Sequence, residues 1–208
     1  MRAKELYERH GFVVTEATDI HWNMVLPFTM PEFKTERLLL KPVTLKDVEA
    51  YQRHFVDYEI IRNLSSAVPW PYPDDGVEYF LNNLIFPYQV DTQWLWGLFL
   101  QESPNELTGA VHLWREGKPE NRGFWLSREY QGEGLMTEAV KPVTDYAFKD
   151  LGFEKLIFAN TVGNEKSRRI KEKTGARFLR VEPMKFVDPE FTEHEIWELK
   201  AEEWFKMC

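Results

Sequence analysis

The stretch GFWLSREYQGEGLMTEAV, from Gly123 to Val140, decides the fold expected for this chain. Its first four residues form an aromatic run that predicts a buried strand. After Gly132 and Gly134, apolar residues recur at intervals of three and four, which predicts an amphipathic helix. Glycine leaves no side chain over the first-turn N–H groups, and these donors and the helix dipole together favour an anion such as a pyrophosphate. The stretch therefore predicts a strand, a sharp turn and a helix with an anion site between them.

Many helices follow a Gly-x-Gly turn, so a plain loop-to-helix connection is the alternative from these residues alone. The dinucleotide-binding fingerprint needs a third glycine where this chain has Thr137, and the Gly-Lys-Ser/Thr of a P-loop is absent. Residues 131–136 read QGEGLM, which resembles the acetyl-CoA loop Gln/Arg-x-x-Gly-x-Gly/Ala of the GNAT (N-acetyltransferase) superfamily. Met136 departs from the usual small residue of that loop. The TEA that follows resembles the branch that acetylates ribosomal-protein N-termini.

Composition limits the classes of function. A chain of 208 residues with 15% aromatic side chains predicts one domain with a substantial core. The net charge of −8 argues against a nucleic-acid partner and favours cationic ones. No run of 18 apolar residues and no signal-peptide pattern is present, so no membrane partner and a cytoplasmic location are expected. The single cysteine, Cys208, excludes an intrachain disulfide and a cysteine-pair metal site, and no metal is expected.

Residues 1–34 are interpreted as an extension and residues 35–208 as the GNAT domain. The segment from Ala3 to Arg9 is predicted to form a helix. Two strand-like segments follow it, and the second ends at Phe28. The spacing of the helical segment repeats that of the later segment SRRIKEKTGA, which begins at Ser167. The hypothesis is that the extension resembles the C-terminal fragment of a second GNAT unit, and an unrelated helix and hairpin is the alternative. A free strand edge there would suit a homodimer contact.

From Thr35 onward the predicted elements follow the order β-α-α-β-β-β-α-β-α-β-β. The turn between the second and third strands is predicted at Pro104 and Asn105. This order matches the GNAT fold that the resemblance implies. The expected class is therefore α/β (α+β), with a mixed, mostly antiparallel, splayed sheet flanked by helices.

A second group of polar residues surrounds a predicted helix from Asn164 to Thr174. Asn164 suits an N-cap, and five cations give the helix a basic face that is either solvated surface or a phosphate contact. The GNAT resemblance implies that Asn160 and Asn164 lie against the pantetheine arm. It also implies that Ser167 lies near the thioester sulfur, where it can protonate the leaving thiolate.

Two residues are expected to act in catalysis, namely Ser167 as the acid and Glu120 as the base. His112 is the second candidate base, with a hydrogen-bonded core histidine as its alternative. Glu138 is interpreted as one partner of an ion pair. The residues expected to bind acetyl-CoA are Leu126, Gln131, Gly132, Glu133, Gly134, Leu135, Met136, Thr137, Asn160, Asn164 and Ser167.

The resemblance implies direct transfer of an acetyl group from acetyl-CoA to a primary amine, either a protein N-terminus or a small amine. One alternative is a small-molecule acetyltransferase acting on a polyamine or an aminoglycoside. Another is a catalytically silent acyl-CoA-binding module. The candidate residues for an acceptor cleft are aromatic and acidic: Phe55, Tyr58, Trp70, Tyr72, Asp57, Asp74 and Asp75.

Overall fold

A computed structural model of the chain describes residues 13–18, 22–25, 29–115 and 119–207. The chain divides into two compact units, Met1–Met30 and Pro31–Cys208. The larger unit therefore begins slightly before Thr35, where the sequence placed the domain boundary.

In the smaller unit, β1 (Val13–Ala17) pairs antiparallel with β2 (Trp22–Val25). This hairpin corresponds to the two strands predicted before Phe28. The predicted helix from Ala3 to Arg9 lies outside the described residues. The hypothesis of a second GNAT fragment therefore stays a prediction.

The larger unit contains an eight-stranded sheet in the order β3-β4-β5-β6-β7-β8-β10-β9. Neighbouring strands are antiparallel, except for the parallel pair β7 and β8. This confirms the predicted mixed, mostly antiparallel sheet. The strands are β3 (Phe33–Lys34), β4 (Leu38–Pro42), β5 (Gln93–Leu100), β6 (Ser103–Trp114), β7 (Arg122–Leu126), β8 (Lys155–Thr161), β9 (Arg177–Pro183) and β10 (Glu193–Lys200).

Six α-helices accompany this sheet in the described residues: α1 (Val48–Phe55), α2 (Tyr58–Ile61), α3 (Gly76–Phe80), α4 (Leu135–Lys149), α5 (Glu165–Lys173) and α6 (Ala201–Met207). A turn of π-helix, Leu81–Ile85, continues α3, and short 3₁₀ turns occupy Leu45–Asp47, Phe86–Tyr88 and Arg128–Tyr130. A capping box at Thr44 begins the 3₁₀ turn before α1, and the Thr44 N–H and hydroxyl both donate to the Asp47 carboxylate. No described helix has the length and apolar character needed to cross a membrane.

The turn between β5 and β6 was predicted at the wrong place. It lies at residues 101 and 102, and Pro104 and Asn105 already belong to β6. The pairing of β5 with β6 shifts register on both sides of Phe99. Such bulges let a strand start earlier than its turn-forming residues suggest.

Side chains of β7 alternate between two helical layers, as the strand period requires. On one face, the Trp125 Nε1–H donates to the Tyr51 hydroxyl of α1 at 3.0 Å. On the other face, Arg122 Nη1 donates to Thr144 Oγ1 of α4 at 3.1 Å, and Phe124 shares that face by the same alternation. The carboxyl end of β7 therefore lies between the layers.

Candidate active site

A cleft of about 670 Å³ lies at the carboxyl ends of β7 and β8. In the described pairing of these parallel strands, Arg122 stands opposite Phe158 and no later residue of β7 pairs with β8. The Ser127 N–H donates to the Thr108 carbonyl and the Trp114 N–H donates to the Asn121 carbonyl, which places the odd-numbered residues of β7 in the ladder with β6; the Asn121 N–H, just before β7, donates to Ile157 of β8. The N–H groups of Phe124 and Leu126 therefore face the gap between β7 and β8.

The loop after β7 depends on glycine at two positions. Gly132 has φ +92 and Gly134 has φ +84, which is the left-handed region. A Cβ added at Gly132 would meet nothing within 4 Å, and one at Gly134 would meet Arg37 Nη2 at 3.8 Å. Backbone conformation rather than crowding therefore requires glycine here. Gly134 is the N-cap of α4, and Leu135, Met136 and Thr137 of its first turn line the cleft.

Gln131 connects this loop to both sides of the cleft. Its Nε2 donates to the Leu126 carbonyl at 2.8 Å, at the end of β7. Its Oε1 accepts a hydrogen bond from Lys166 Nζ of α5 at 3.0 Å. One side chain thus fixes the spacing between the end of β7 and the first turn of α5.

Glu138 holds the start of α4 against the segment before β4. Arg37 Nε donates to Glu138 Oε2 at 2.9 Å, and Arg37 Nη1 donates to the Glu133 carbonyl at 3.1 Å. Burial opposes ionisation of Glu138, but hydrogen bonds from Thr35 and Arg37 hold its pKa below the ordinary value. The predicted ion-pair role of Glu138 is confirmed, and the pair anchors the glycine loop.

Helix α5 forms the opposite wall of the cleft. Asn164 caps it, because its Oδ1 accepts from the Ser167 N–H at 3.1 Å and its Nδ2 donates to Asn63 at 3.2 Å. The cap interpretation of Asn164 is confirmed. The five cations of the helix point in different directions: Lys166, Arg169 and Lys173 line the cleft, Arg168 pairs with Glu172, and Lys171 is buried.

Ser167 lines the cleft, and its hydroxyl accepts a hydrogen bond from the buried Lys171. Lys171 Nζ donates to Ser167 Oγ at 2.8 Å, and Lys171 is only 1% exposed. Burial lowers the Lys171 pKa well below its usual value, repulsion from Arg122 lowers it further, and Glu195 partly offsets both effects. Burial also lowers the pKa of Arg122, to about 9.

The comparison with known families agrees with this geometry. A family model described as an acetyltransferase (GNAT) domain matches residues 37–177. The chain belongs to the GNAT acetyltransferase family. The predicted family membership and fold are confirmed.

A curated relative of this GNAT domain is the putative ribosomal N-acetyltransferase YdaF of Bacillus subtilis. It is 38% identical over 53 residues, which are 26% of this chain and 29% of that protein. The matched segments span half or less of the length of the curated relatives.

Two solved structures show the same fold. The ribosomal-protein-S5-alanine acetyltransferase of Vibrio fischeri has a TM-score of 0.71 at 17% identity, covering 84% of this chain and 99% of that one. The spermidine N-acetyltransferase of Vibrio cholerae, in complex with CoA and spermine, has a TM-score of 0.68 at 16% identity, covering 82% and 99%. At these identities the likeness concerns the fold of the GNAT domain.

Most of the residues predicted to bind acetyl-CoA line the cleft of this GNAT domain: Leu126, Gln131, Gly132, Gly134, Leu135, Met136, Thr137, Asn164 and Ser167. Glu133 is not among the lining residues. Asn160 lies buried, and its Nδ2 donates to the Thr161 carbonyl and to Glu195 Oε2. Met136, 5% exposed, forms part of the wall.

The two candidate bases do not lie in the cleft. Glu120 precedes β7 at the opposite end from Leu126, and the strand between them is about 13 Å long. Glu120 is not among the residues that line the described cleft, and its role as the base stays a prediction. His112 hydrogen-bonds Gln93 Oε1 at 2.9 Å and packs against Trp114, which fits its core alternative.

The aromatic residues expected to line an acceptor cleft lie elsewhere in this GNAT domain. Phe55 and Tyr72 pack edge to face in the core, with ring centroids 5.5 Å apart. The rings of Tyr58 and Trp70 lie tilted against each other on an exposed surface, with centroids 5.2 Å apart. Asp57 caps α2 by accepting from the Glu59 N–H at 2.8 Å. None of these residues lines the described cleft.

Two loops that no local sequence pattern connects meet beside the cleft. The Ser66 N–H donates to the Lys185 carbonyl, and the Val187 N–H donates to the Leu64 carbonyl, each at 2.9 Å. Arg62 and Phe191 line the cleft at this junction. The burial of Lys171 was also missed, although its spacing from Ser167, Ile170 and Thr174 places all four on one helical face.

Proposed function

We propose that this GNAT domain transfers an acetyl group from acetyl-CoA directly to a primary amine. The observation that carries the proposal is one cleft lined by three features at once. These are the first turn of α4 after the glycine loop, the cations of α5, and Ser167. Helix-terminal N–H groups and nearby cations fit a pyrophosphate, and the free edge of β7 fits an amide-bearing arm.

The cleft residues can perform the steps that acetyl transfer needs. Bound acetyl-CoA would supply the thioester carbonyl. The N–H groups of Phe124 and Leu126 face the gap and can donate to the oxygen on which negative charge develops. Ser167 can donate its hydroxyl proton to the sulfur that leaves. Direct transfer fits better than an acyl-enzyme, because the single cysteine is Cys208 at the end of the chain.

The acceptor must lose a proton before it can attack. An α-amino group has a pKa of about 8 and a lysine amine one of about 10.4, so a protein N-terminus needs the weaker base. A water molecule can take this proton, since Glu120 and His112 lie elsewhere. Both acceptor classes stay in the proposal: the names of the fold neighbours include an S5-alanine enzyme and a spermidine enzyme.

The proposal requires no nucleic acid, membrane or metal. Within the described residues, no group of three or more His, Cys, Asp or Glu side chains is arranged to hold a metal ion. The cytoplasmic location and the homodimer stay predictions.

The first test is calorimetric titration with acetyl-CoA and with free CoA. We expect both to bind, and we expect thiol release when acetyl-CoA is mixed with at least one of two amines: a peptide with a free N-terminal alanine, or spermidine. Absence of binding would contradict the proposal altogether. Binding without thiol release from either amine would favour the silent acyl-CoA-binding module.

Replacement of Ser167 by alanine tests its role as the acid. We expect kcat to fall about 100-fold, because general acid catalysis contributes on this scale. Affinity for acetyl-CoA should stay within about twofold, since the helix cap uses the Ser167 backbone N–H rather than its hydroxyl. Exposed Ser103→Ala is the control. An unchanged kcat in Ser167→Ala would remove Ser167 from the mechanism.

A further inference from the structure

The buried face of α5 carries a lysine where an apolar side chain would ordinarily pack. Ser167, Ile170, Lys171 and Thr174 follow the spacing of one helical face, and Lys171 and Thr174 are each 1% exposed. Removal of an ammonium group from water costs several kcal/mol unless strong partners replace the water. Lys171 therefore needs a reason for being buried.

The carboxylate that faces Lys171 is engaged by other groups. Glu195 Oε2 accepts from Asn160 Nδ2 at 3.1 Å and from Trp197 Nε1 at 3.0 Å. Glu195 Oε1 lies 3.7 Å from Arg168 Nη1. Lys171 Nζ instead donates to Ser167 Oγ at 2.8 Å, and the Phe124 ring lies 5.7 Å from it. The close polar contact of this buried amine is thus the hydroxyl that lines the cleft.

This contact sets the direction of the Ser167 hydroxyl. A hydroxyl has one hydrogen to donate and lone pairs that accept, whereas an ammonium group can only donate. With Lys171 donating from the buried side, Ser167 Oγ acts as the acceptor and its own hydrogen remains to be donated. Because Ser167 lines the cleft, that hydrogen can be directed towards the cleft.

We infer that Lys171 is a positioning residue for acetyl transfer, which holds the Ser167 hydroxyl as a donor towards the leaving sulfur and replaces the proton that Ser167 gives up. The inference rests on the proposed function. It assigns a role to a lysine that is buried and does not itself line the cleft.

The proton steps balance without another reactant. The amine nitrogen forms a bond to the acetyl carbon, the carbon–sulfur bond breaks, and its electron pair goes to sulfur. The Ser167 proton passes to sulfur and a Lys171 proton passes to Ser167 Oγ. Lys171, then neutral, takes a proton back from water, and the proton lost by the amine goes to water.

The surroundings of Lys171 favour this donation. Arg122 faces it from β7 and Glu195 from β10, while Ser167 lies on its own helix. Burial and the Arg122 charge both disfavour the ammonium form, so loss of a proton relieves desolvation and repulsion. A lysine exposed to water has a higher pKa, so it would give up its proton less readily at the same pH.

The test is a double-mutant cycle between Lys171 and Ser167. The variants are Lys171→Met, which keeps length without polarity, Ser167→Ala and the double variant. We expect kcat to fall about tenfold in Lys171→Met and about 100-fold in Ser167→Ala, with acetyl-CoA affinity retained. The double variant should match Ser167→Ala within about twofold, because Lys171 acts through Ser167.

Two further measurements separate this role from a structural one. Lys171→Met should unfold at a temperature equal to or above that of the wild type, because an apolar side chain replaces a buried charge. Lys171→Gln, which can donate a hydrogen bond but cannot give up a proton, should recover less than half of the lost kcat. Exposed Lys141→Met should behave as the wild type in every measurement.

The outcomes distinguish this inference from the proposed function. If the wild type releases no thiol with either amine, the proposed function fails and the inference fails with it. If the wild type turns over and Lys171→Met keeps its kcat, only the inference fails. Multiplying losses in the double variant, about 1000-fold in total, would also overturn it, because Lys171 would then act independently of Ser167.

Discussion

The two walls of the cleft present different kinds of chemical group. The wall formed by the glycine loop and α4 presents backbone N–H groups, and its shape depends on Gly132 and Gly134 in left-handed conformation. The wall formed by α5 presents side chains, namely Ser167 and the cations around it. Local backbone geometry determines the first wall. The side chains that pack against the buried face of α5 determine the second.

This difference determines how each wall can be damaged. A backbone site tolerates exchange of most side chains and fails when its glycine conformation is lost. A side-chain site fails when the environment of one group changes, as would happen to Ser167 if its hydrogen bond from Lys171 were lost. Substitutions in the two walls should therefore separate binding from turnover.

The largest expected effect is the loss of acetyl-CoA binding in Gly134→Val. The φ of +84 at Gly134 disfavours a β-branched residue by about 1–2 kcal/mol, and relaxation of this strain moves the first N–H groups of α4. We expect the dissociation constant measured by calorimetry to rise about 100-fold.

Gly152→Val is the matched control for this change. Gly152 also has positive φ, +68, meets nothing within 4 Å of an added Cβ, and is not among the residues of the cleft. It should lose thermal stability by a similar amount and keep its affinity for acetyl-CoA. Equal loss of affinity in both variants would contradict a backbone site at Gly134.

The buried lysine predicts a pH effect on stability that the α4 wall lacks. Between its lowered pKa and the ordinary value of 10.5, Lys171 binds fewer protons in the folded protein than in the unfolded chain. The free energy of unfolding should therefore rise with pH across this window, by at most about 1.4 kcal/mol per pH unit from this group. Urea unfolding at pH 8 and pH 9 measures it.

The same unfolding experiment on Lys171→Met isolates the contribution of this group. The variant should lose the part of the rise that belongs to Lys171, whereas Lys141→Met should keep it. A rise of the same size in Lys171→Met would mean that burial does not lower the pKa of Lys171.

The smallest expected effect concerns the cations of α5. Lys173 lines the cleft, so Lys173→Met should weaken acetyl-CoA binding about fivefold, as expected for a partly exposed charge on a phosphate. Binding of acetyl-pantetheine, which has no phosphate, should not change. Arg168→Met is the control, because Arg168 pairs with Glu172. Equal weakening in both variants would favour a general effect of charge over a phosphate contact.

The sequence predicted the backbone wall well, because its features are local. Residues 123–140 alone indicate the strand, the glycine turn and the start of α4, and the order of elements along the chain indicates the sheet. The cap at Asn164 and the capping box at Thr44 follow from equally short patterns. These signals involve residues that are neighbours in the chain.

The features that the sequence did not indicate involve partners that are distant in the chain. Glu120 lies at the end of β7 opposite to the cleft, although it is close to the glycine of β7 in sequence, and its role as the base stays a prediction. Lys171 resembles a surface cation until Phe124 and Glu195 cover it, and these come from two other strands. The junction of residues 64–66 with residues 185–187 joins loops more than a hundred positions apart, and no local pattern marks it.

The order of the last strands also has a consequence for synthesis on the ribosome. Strand β8 pairs with β7 at one position, and its long ladder is with β10, which also supplies the partner of β9. Strands β3 to β7 can pair as they emerge, whereas β8 and β9 wait for residues 193–200. A nascent chain can therefore complete β7 and the glycine turn before residues 193–200 emerge to hold β8 and β9 in the sheet.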